Sequence, residues 1–427
     1  MQTHLRSKYR MCFFAFWVIL AFANTSLSSD KLDFLFGINA DFRYRTELDA
    51  RDFSEDQRTG VESLLRFRLG AWLEHKNIYT LFQLQYPKCL GWNSSLVDPD
   101  TVLHIHQAYL LIQDIGYEGL SIQLGRMELL FGDERLIGAS CWDNIGRVYD
   151  GIKLNLSQDV FTYDLFGTIQ EARFRPDDTT KTRDDYFGGI WVRHNYTNLN
   201  AYVLHNIESA QKNQIGDYRT SLSRQTLGIH YHRRYLSGWG AKMNLAYQMG
   251  IAKDVDAGTE QDISAMLIGS EISYEYGGKL KLAVGFDWTS GDDVSKEDKY
   301  GAFNNLYFNY HRYYGFMDYF KESREEGLRD VYIKMRGRLN PKVSVLMTLH
   351  HFTSDQEDLS EKDASKTKEI GNEINVESFF VMQNGIRINA GLGYFIPSEH
   401  WKGAKATNGF WAHLGLQMTF DAQLNRI

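Results

Sequence analysis

The stretch Tyr276-Gly277-Gly278-Lys279-Leu280-Lys281-Leu282-Ala283-Val284-Gly285-Phe286-Asp287-Trp288 decides how the chain is read. Its two adjacent glycines supply the positive φ angles that a tight hairpin turn demands. After the turn, Leu280, Leu282, Val284, Phe286 and Trp288 alternate with Lys281, Ala283, Gly285 and Asp287. Successive side chains on a strand point to opposite faces, so one face is apolar and the other is polar or small. Ile386-Arg387-Ile388-Asn389-Ala390-Gly391, which follows the turn Gln383-Asn384-Gly385, repeats the split.

The same rhythm runs from about Leu35 to Phe420. Alternating segments fall near residues 33–48, 61–75, 78–86, 103–115, 119–127, 146–156, 159–170, 184–196, 199–207, 222–233, 238–250, 262–276, 279–289, 326–338, 341–353, 369–383, 385–396 and 408–420. Short turns alternate with long polar connections near 87–102, 128–145, 171–183, 208–221, 290–325 and 354–368. This predicts an all-β fold, a transmembrane up-and-down antiparallel barrel of about 18 strands. Short turns and both termini are expected on the periplasmic side and long loops outside. Period alone does not say whether the apolar face points in or out. Strand number does: so many strands enclose a lumen too wide for apolar side chains to fill, so the apolar face is expected toward lipid.

Composition agrees. The chain has 5 Pro among 427 residues and 14% aromatics, and strands exclude Pro while membrane barrels carry aromatic girdles. Girdle candidates are Tyr44, Trp72, Tyr86, Tyr109, Tyr196, Tyr247, Tyr274, Trp288, Tyr394 and Phe420. Beyond the N-terminus no apolar run is long enough for a spanning helix. The N-terminus reads as a secretory signal over 1–23, with cleavage after Ala23 or as late as Ser28, followed by one barrel domain over 30–427. Arg6, Lys8 and Arg10 form its basic region, Cys12 to Ala23 its apolar one. Removing this acid-free segment takes the formal charge of −7 three units further negative, which argues against a nucleic-acid partner. Cys89 and Cys141 remain, in expected long loops, as a disulfide permitted by an oxidising compartment or as two free thiols. No CxxC spacing points to metal.

The polar face supplies the candidate pore lining. Basic positions are Arg43 and Arg45, Arg66 and Arg68, then Arg193, Lys242, Lys334, Arg336 and Arg387. Asp41, Glu47, Glu271, Glu275, Asp287, Glu373 and Glu377 are acids on the same face. An arginine wall selects anions and grips carboxylates with two parallel hydrogen bonds. Paired internal charges that stiffen the barrel are the plainer reading of the same residues. The segment Gly125-Arg126-Met127-Glu128-Leu129-Leu130-Phe131-Gly132-Asp133-Glu134-Arg135-Leu136-Ile137-Gly138, continuing through Trp142, Asn144, Arg147 and Tyr149-Asp150-Gly151, packs opposite charges most densely. Side-chain parity slips near Gly125, so a bulge is expected there. Such a loop either folds inward as a constriction or stays at the surface, pinned by salt bridges. Arg126, Glu128, Arg135 and Arg147 join the pore-lining set on the first of these readings.

At this motif the chain resembles the alginate-export family of outer-membrane barrels. The pattern GR-x-EL-x-x-GDERLIG-x-x-x-W-x-N-x-x-R-x-(F/Y)DG matches from Gly125 to Gly151. Further matches run through Ser290-Gly291-Asp292-Asp293, Phe303-Asn304-Asn305-Leu306, His311-Arg312-Tyr313-Tyr314-Gly315-Phe316-Met317-Asp318, Leu328-Arg329-Asp330, Gly371-Asn372-Glu373-Ile374-Asn375, Gly391 to Pro397, and Trp411. The resemblance implies a conduit for an anionic polysaccharide or oligosaccharide such as alginate, in the outer membrane of a Gram-negative bacterium. Expected partners are that polymer, outer-membrane lipid and lipopolysaccharide, and the barrel-assembly machinery. The alternative is a general or small-solute uptake porin. The chain continues from Asp421 to Ile427 after the aromatic that assembly machinery normally reads, which places that signal at Phe420.

A barrel enzyme would need a nucleophile beside a base. No GxSxG is present. The pairs His104/His106 and His230/His232 share a strand face, as two ligands of a metal would, but no third ligand accompanies either. No catalytic residue, metal or cofactor is assigned, and with no energy source in the sequence, passage is downhill.

Overall fold

The computed structural model of the chain describes residues 34–53, 59–90, 103–171, 185–208, 221–254, 259–293, 295–296, 298–357, 368–382, 385–399 and 407–426. The expected signal segment lies outside them, as does much of several long loops. The strands are β1 (Leu35–Ala50), β2 (Gly60–His75), β3 (Ile78–Leu90), β4 (His104–Ile112), β5 (Leu120–Met127), β6 (Tyr149–Ser157), β7 (Phe161–Glu171), β8 (Asp185–His194), β9 (Leu199–Glu208), β10 (Ser221–Arg234), β11 (Trp239–Asp254), β12 (Thr259–Tyr276), β13 (Leu280–Thr289), β14 (Lys299–Tyr300), β15 (Leu328–Asn340), β16 (Val343–Thr353), β17 (Glu369–Val381), β18 (Ile386–Pro397) and β19 (Gly409–Arg426). All but the two-residue β14 form a closed antiparallel barrel of 18 strands. Each barrel strand pairs with its neighbours in the chain, β13 pairs with β15, and β19 returns to β1 through Arg43–Gln417 and Arg45–Gly415. β14 runs parallel to the start of β12.

The turn that opens the sequence reading is a three-residue connection between Tyr276 and Leu280, with Gly277 and Gly278 at φ +57° and +66°. On β13, Leu282 and Val284 are 46% and 58% exposed, while Ala283 and Asp287 are 5% and 4% exposed. The apolar face is therefore outside and the polar face lines the lumen. Among the aromatics expected at the girdles, Tyr86, Tyr247, Tyr274, Tyr394 and Phe420 are exposed on the outer face. Trp72 and Tyr109 are corrections. Trp72 shares the inward face of β2 with Arg66 and Arg68 and stacks on Tyr79, which in turn meets Tyr109.

The last strand does not end at Phe420. It continues to Arg426, pairing Ala422 with Ile38 and Arg426 with Leu35. Cys89 lies on β3 rather than in a loop, and no disulfide joins it to Cys141.

The lumen is less uniformly wet than strand number implies. Two connections, 128–148 and 290–327, turn back inside the barrel, and each brings an apolar cluster with it. Leu129, Phe131, Leu136 and Ile137 of the first pack against Phe166, Phe187, Trp191 and Leu204 on the wall. Phe308, Tyr314, Phe316, Met317 and Phe320 of the second pack against Phe352, Phe395 and Trp411. Burial of side chains this large contributes about 1.5–3 kcal/mol each. The loops are thus held by dry contacts that no strand periodicity reveals.

Candidate functional site

The loop 128–148 is the constriction half of the sequence alternatives, and the arginines of β1 and β2 hold it. Arg43 and Arg66 lie directly opposite each other on the inward face. Like charges in that position repel. Both instead point at one stretch of loop backbone. Arg43 donates to the carbonyls of Cys141 at 2.7 Å and Asp143 at 2.8 Å. Arg66 donates to the Cys141 carbonyl at 3.1 Å and to Asp41 at 2.9 Å. Arg45 donates to the Trp142 carbonyl at 2.8 Å and to Glu47 at 2.6 Å, with its guanidinium 3.6 Å from the Trp142 ring centre. Trp142 is stacked on its other face by His311 of the second loop, ring centres 3.8 Å apart. Arg68 bonds Gln85, Glu128 and the Ile145 carbonyl. All four arginines are buried. Glu128 also binds His106 at 2.8 Å.

The two inward loops are clasped to each other. Ile137 bridges Tyr307, and Arg147 donates to the carbonyls of Tyr307 and Phe308. Arg135 is buried between Asp287, at 2.9 Å, and the Tyr314 hydroxyl, at 2.8 Å. Asp133 accepts from Asn244 at 3.1 Å and faces His230 at 3.6 Å. Burial pushes the Asp133 carboxyl up, but His230, Asn244 and Arg135 outweigh it and hold the group well below the usual carboxylate range. Glu373 on β17 accepts the backbone N–H groups of Phe316 and Met317, fixing the tip of the second loop. Neither histidine pair builds a metal site, and among the described residues no group of three or more metal-ligating side chains assembles.

Arg126 is a correction to the pore-lining set. The pairing of β5 with β4 and β6 is unbroken from Ala108–Arg126 to Ile112–Ile122 and from Leu120–Leu156 to Met127–Tyr149. The bulge expected at Gly125 does not occur there, so parity carries Arg126 to the outer face. There it makes a bidentate pair with Asp150 and donates to the Ile105 carbonyl. Gly125 keeps its special backbone for another reason: at φ +122° a Cβ would lie 2.3 Å from the Ala108 carbonyl oxygen. The register shift sits one hairpin away, where Gln83 pairs with Gln107 and Leu84 with Ile105, leaving His106 as the extra residue.

A second basic region is wet. A cavity of about 770 Å³ runs from the underside of the loops, at Asp133, His311 and Arg312, down to the periplasmic turns at Gly278 and Lys279. Eight Lys and Arg side chains line it against five Asp and Glu. Lys334 and Arg336 belong to it. So do Lys242 and Lys281, and Arg338, two residues further along the inward face of β15. Among the described residues, Lys279, Arg336 and Arg338 have no carboxylate partner within ion-pair distance, whereas Arg312 pairs with Glu134 and Arg234 with Glu275. Arg234, Lys279, Arg312 and Arg338 were not picked out from the sequence. Extending the alternation Lys334-x-Arg336-x-Arg338 by one step finds the last, while Arg312 depends on where its loop folds. Arg193 and Arg387 face inward near the periplasmic rim, outside the cavity lining.

No curated protein matches the sequence. Among solved structures, the fold is similar to Pseudomonas aeruginosa OccK11 (OpdR), with a TM-score of 0.60, 9% identity, and 93% of this chain and 100% of that one covered. It is similar to Acinetobacter baumannii OccAB4, with a TM-score of 0.61, 14% identity and coverages of 92% and 99%. It is also similar to Pseudomonas aeruginosa OpdK, solved with vanillate, with a TM-score of 0.57, 12% identity and coverages of 90% and 99%. These likenesses show the fold. The sequence itself matches the alginate-export family over residues 33–377. The chain belongs to the alginate-export family and is an outer-membrane barrel channel.

Proposed function

We propose that the channel passes small anionic solutes, acids of monosaccharide or similar size, down their gradient through the basic cavity. One observation carries this reading: the cavity beneath the clasped loops has an excess of cations, and three of those cations lack a carboxylate partner among the described residues. A wet wall of that kind favours anions by its field and offers donors to a carboxylate. Its volume is in the range that holds a single compact ligand. The arginines of β1 and β2 support passage differently, by fixing the loop that narrows the lumen. Of the residues read from the sequence as pore-lining, Lys334 and Arg336 meet solute in this reading. Arg43, Arg45, Arg66, Arg68, Glu128, Arg135 and Arg147 shape the opening, and Arg193 and Arg387 meet solute at the periplasmic rim.

A second reading, passage of an acidic polysaccharide such as alginate, is supported by the family to which the chain belongs. Reversal potentials in a planar bilayer under a salt gradient separate the two, with a uronate monomer and uronate oligomers of increasing length added in turn. Anion-selective current interrupted by the monomer supports the small-acid channel. Interruption by oligomers alone favours the polymer. Cation-selective current indifferent to both removes each reading and leaves a general porin.

A further inference from the structure

Glu271 lines the cavity but is recessed in its wall. Its side chain is 6% exposed, while Lys242, Lys281 and Lys334, which surround it, are 33%, 31% and 27% exposed. The three ammonium groups come from β11, β13 and β15 and stand 3.5, 4.0 and 3.7 Å from its oxygens. These distances are too long for a tight hydrogen-bonded pair. One carboxylate is shared by three cations, leaving the cluster two charges positive on its wet side.

The arrangement is built. Glu271 faces Gly285 across the β12–β13 pair. A Cβ at Gly285 would fall 2.1 Å from the Tyr332 ring, so the glycine makes room for Tyr332 of β15 to cross over β13. Tyr332 then donates its hydroxyl to Glu271 Oε2 at 3.4 Å, and its ring lies 4.1 Å below the Lys334 ammonium. Lysine is a point charge on a flexible stem, and three of them side by side repel and splay unless something holds them.

We infer that Glu271 is a positioning residue: it gathers Lys242, Lys281 and Lys334 into a cradle that prefers a solute carrying two negative charges over one carrying a single charge. This rests on the reading of the cavity as an anion path and adds a charge rule to it. Succinate and butyrate have the same carbon count and differ in one carboxylate, so they are the probes.

The test uses the full chain in planar bilayers at matched ionic strength. Each variant is first checked for the heat-resistant compact form of a folded barrel on a gel. In the wild type, succinate should interrupt chloride current at a concentration lower than butyrate by about tenfold, the scale of one added charged hydrogen bond. Glu271→Gln adds positive charge, so the reversal potential should move further toward anions. The succinate preference should nevertheless fall to roughly twofold or less as the lysines splay. Glu271→Asp keeps the charge but loses reach, so it should lose the preference with the reversal potential unchanged. A stronger succinate block in Glu271→Gln, rising with anion selectivity, would make Glu271 a plain counter-charge and overturn the inference. So would an unchanged succinate preference in Glu271→Asp, or a wild type that is anion-selective but blind to the second carboxylate. A wild type without anion selectivity overturns the cavity reading itself.

Discussion

The barrel carries two basic regions on its inner wall, and they use the same charge in opposite ways. On β1 and β2, Arg43, Arg45, Arg66 and Arg68 are buried, and loop carbonyls, neighbouring side chains and an aromatic face engage each guanidinium, although Nε of Arg43 and of Arg66 has no partner among the described residues. On β11 to β15, Lys242, Lys281, Lys334 and Arg336 line an open polar cavity, loosely shared or without a carboxylate partner among the described residues. A guanidinium suits the first task, because its planar fork satisfies several carbonyls at once. An ammonium suits the second, because it stays hydrated and mobile. Inward-facing positive charge is therefore not one feature: where a loop covers it, it is an anchor, and where water covers it, it is a selectivity element.

The contrast breaks most visibly if the anchors are cut. Arg43→Ala with Arg66→Ala strips the donors from the Cys141 and Asp143 carbonyls, and leaving such groups buried and unpaired costs about 1–3 kcal/mol each. The loop 128–148 should loosen, raising single-channel conductance several-fold and making it noisy, with anion preference kept. A collapse of anion preference at unchanged conductance would show that these arginines meet solute after all.

The complementary change is Lys334→Gln with Arg336→Gln. Chloride-over-potassium permeability should fall by roughly three- to tenfold, because charged side chains on the wall set ion preference, with conductance changed by less than about twofold. If only conductance responds, the cavity is not on the ion path.

Acid should sharpen the difference between anchored loops and open cavity. Asp133 is held ionised in the folded protein well below the pH at which an unfolded chain protonates it. Its stabilisation of the loop clasp is therefore complete above about pH 4 and is lost progressively as pH falls below that value. Open-channel noise should stay low down to about pH 4 and rise only as the pH falls below that value, through the region under the ordinary carboxylate range, and Asp133→Asn should be noisy at neutral pH as well. Acid-insensitive noise in the wild type would remove Asp133 from the clasp.

The smallest effect is expected outside the barrel. Arg126→Ala breaks an exposed pair with Asp150, so stability should shift by no more than about 1 kcal/mol, read from the temperature of unfolding on a gel. Conductance and selectivity should not move. A selectivity change would return Arg126 to the pore.

What is legible in the sequence is most of what depends on a period of two. Alternation alone marks all 18 barrel strands, although β19 runs six residues past its expected end, and puts Lys242, Glu271, Lys334 and Arg336 on the lumen side. Each such property is local, since neighbouring residues on a strand must point oppositely. At Arg126 the plain alternation of β5 gives the outer face, and the unbroken pairing through Gly125 keeps it there although the loop that follows folds inward. The apolar strip from Leu129 to Ile137 looked like loop because nothing in its spacing says which wall it meets.

The tertiary structure alone decided which inward cations are dry and which are wet. Arg43 meets Asp143 across 100 residues of chain, and Arg135 meets Asp287 across 152. No local pattern encodes contacts at that separation, because they exist only once the barrel has closed and the two loops have folded back into it. The sequence by itself determined a membrane barrel with a charged interior. Closure of that barrel around its own loops decided which charges hold the structure and which are left facing the solvent.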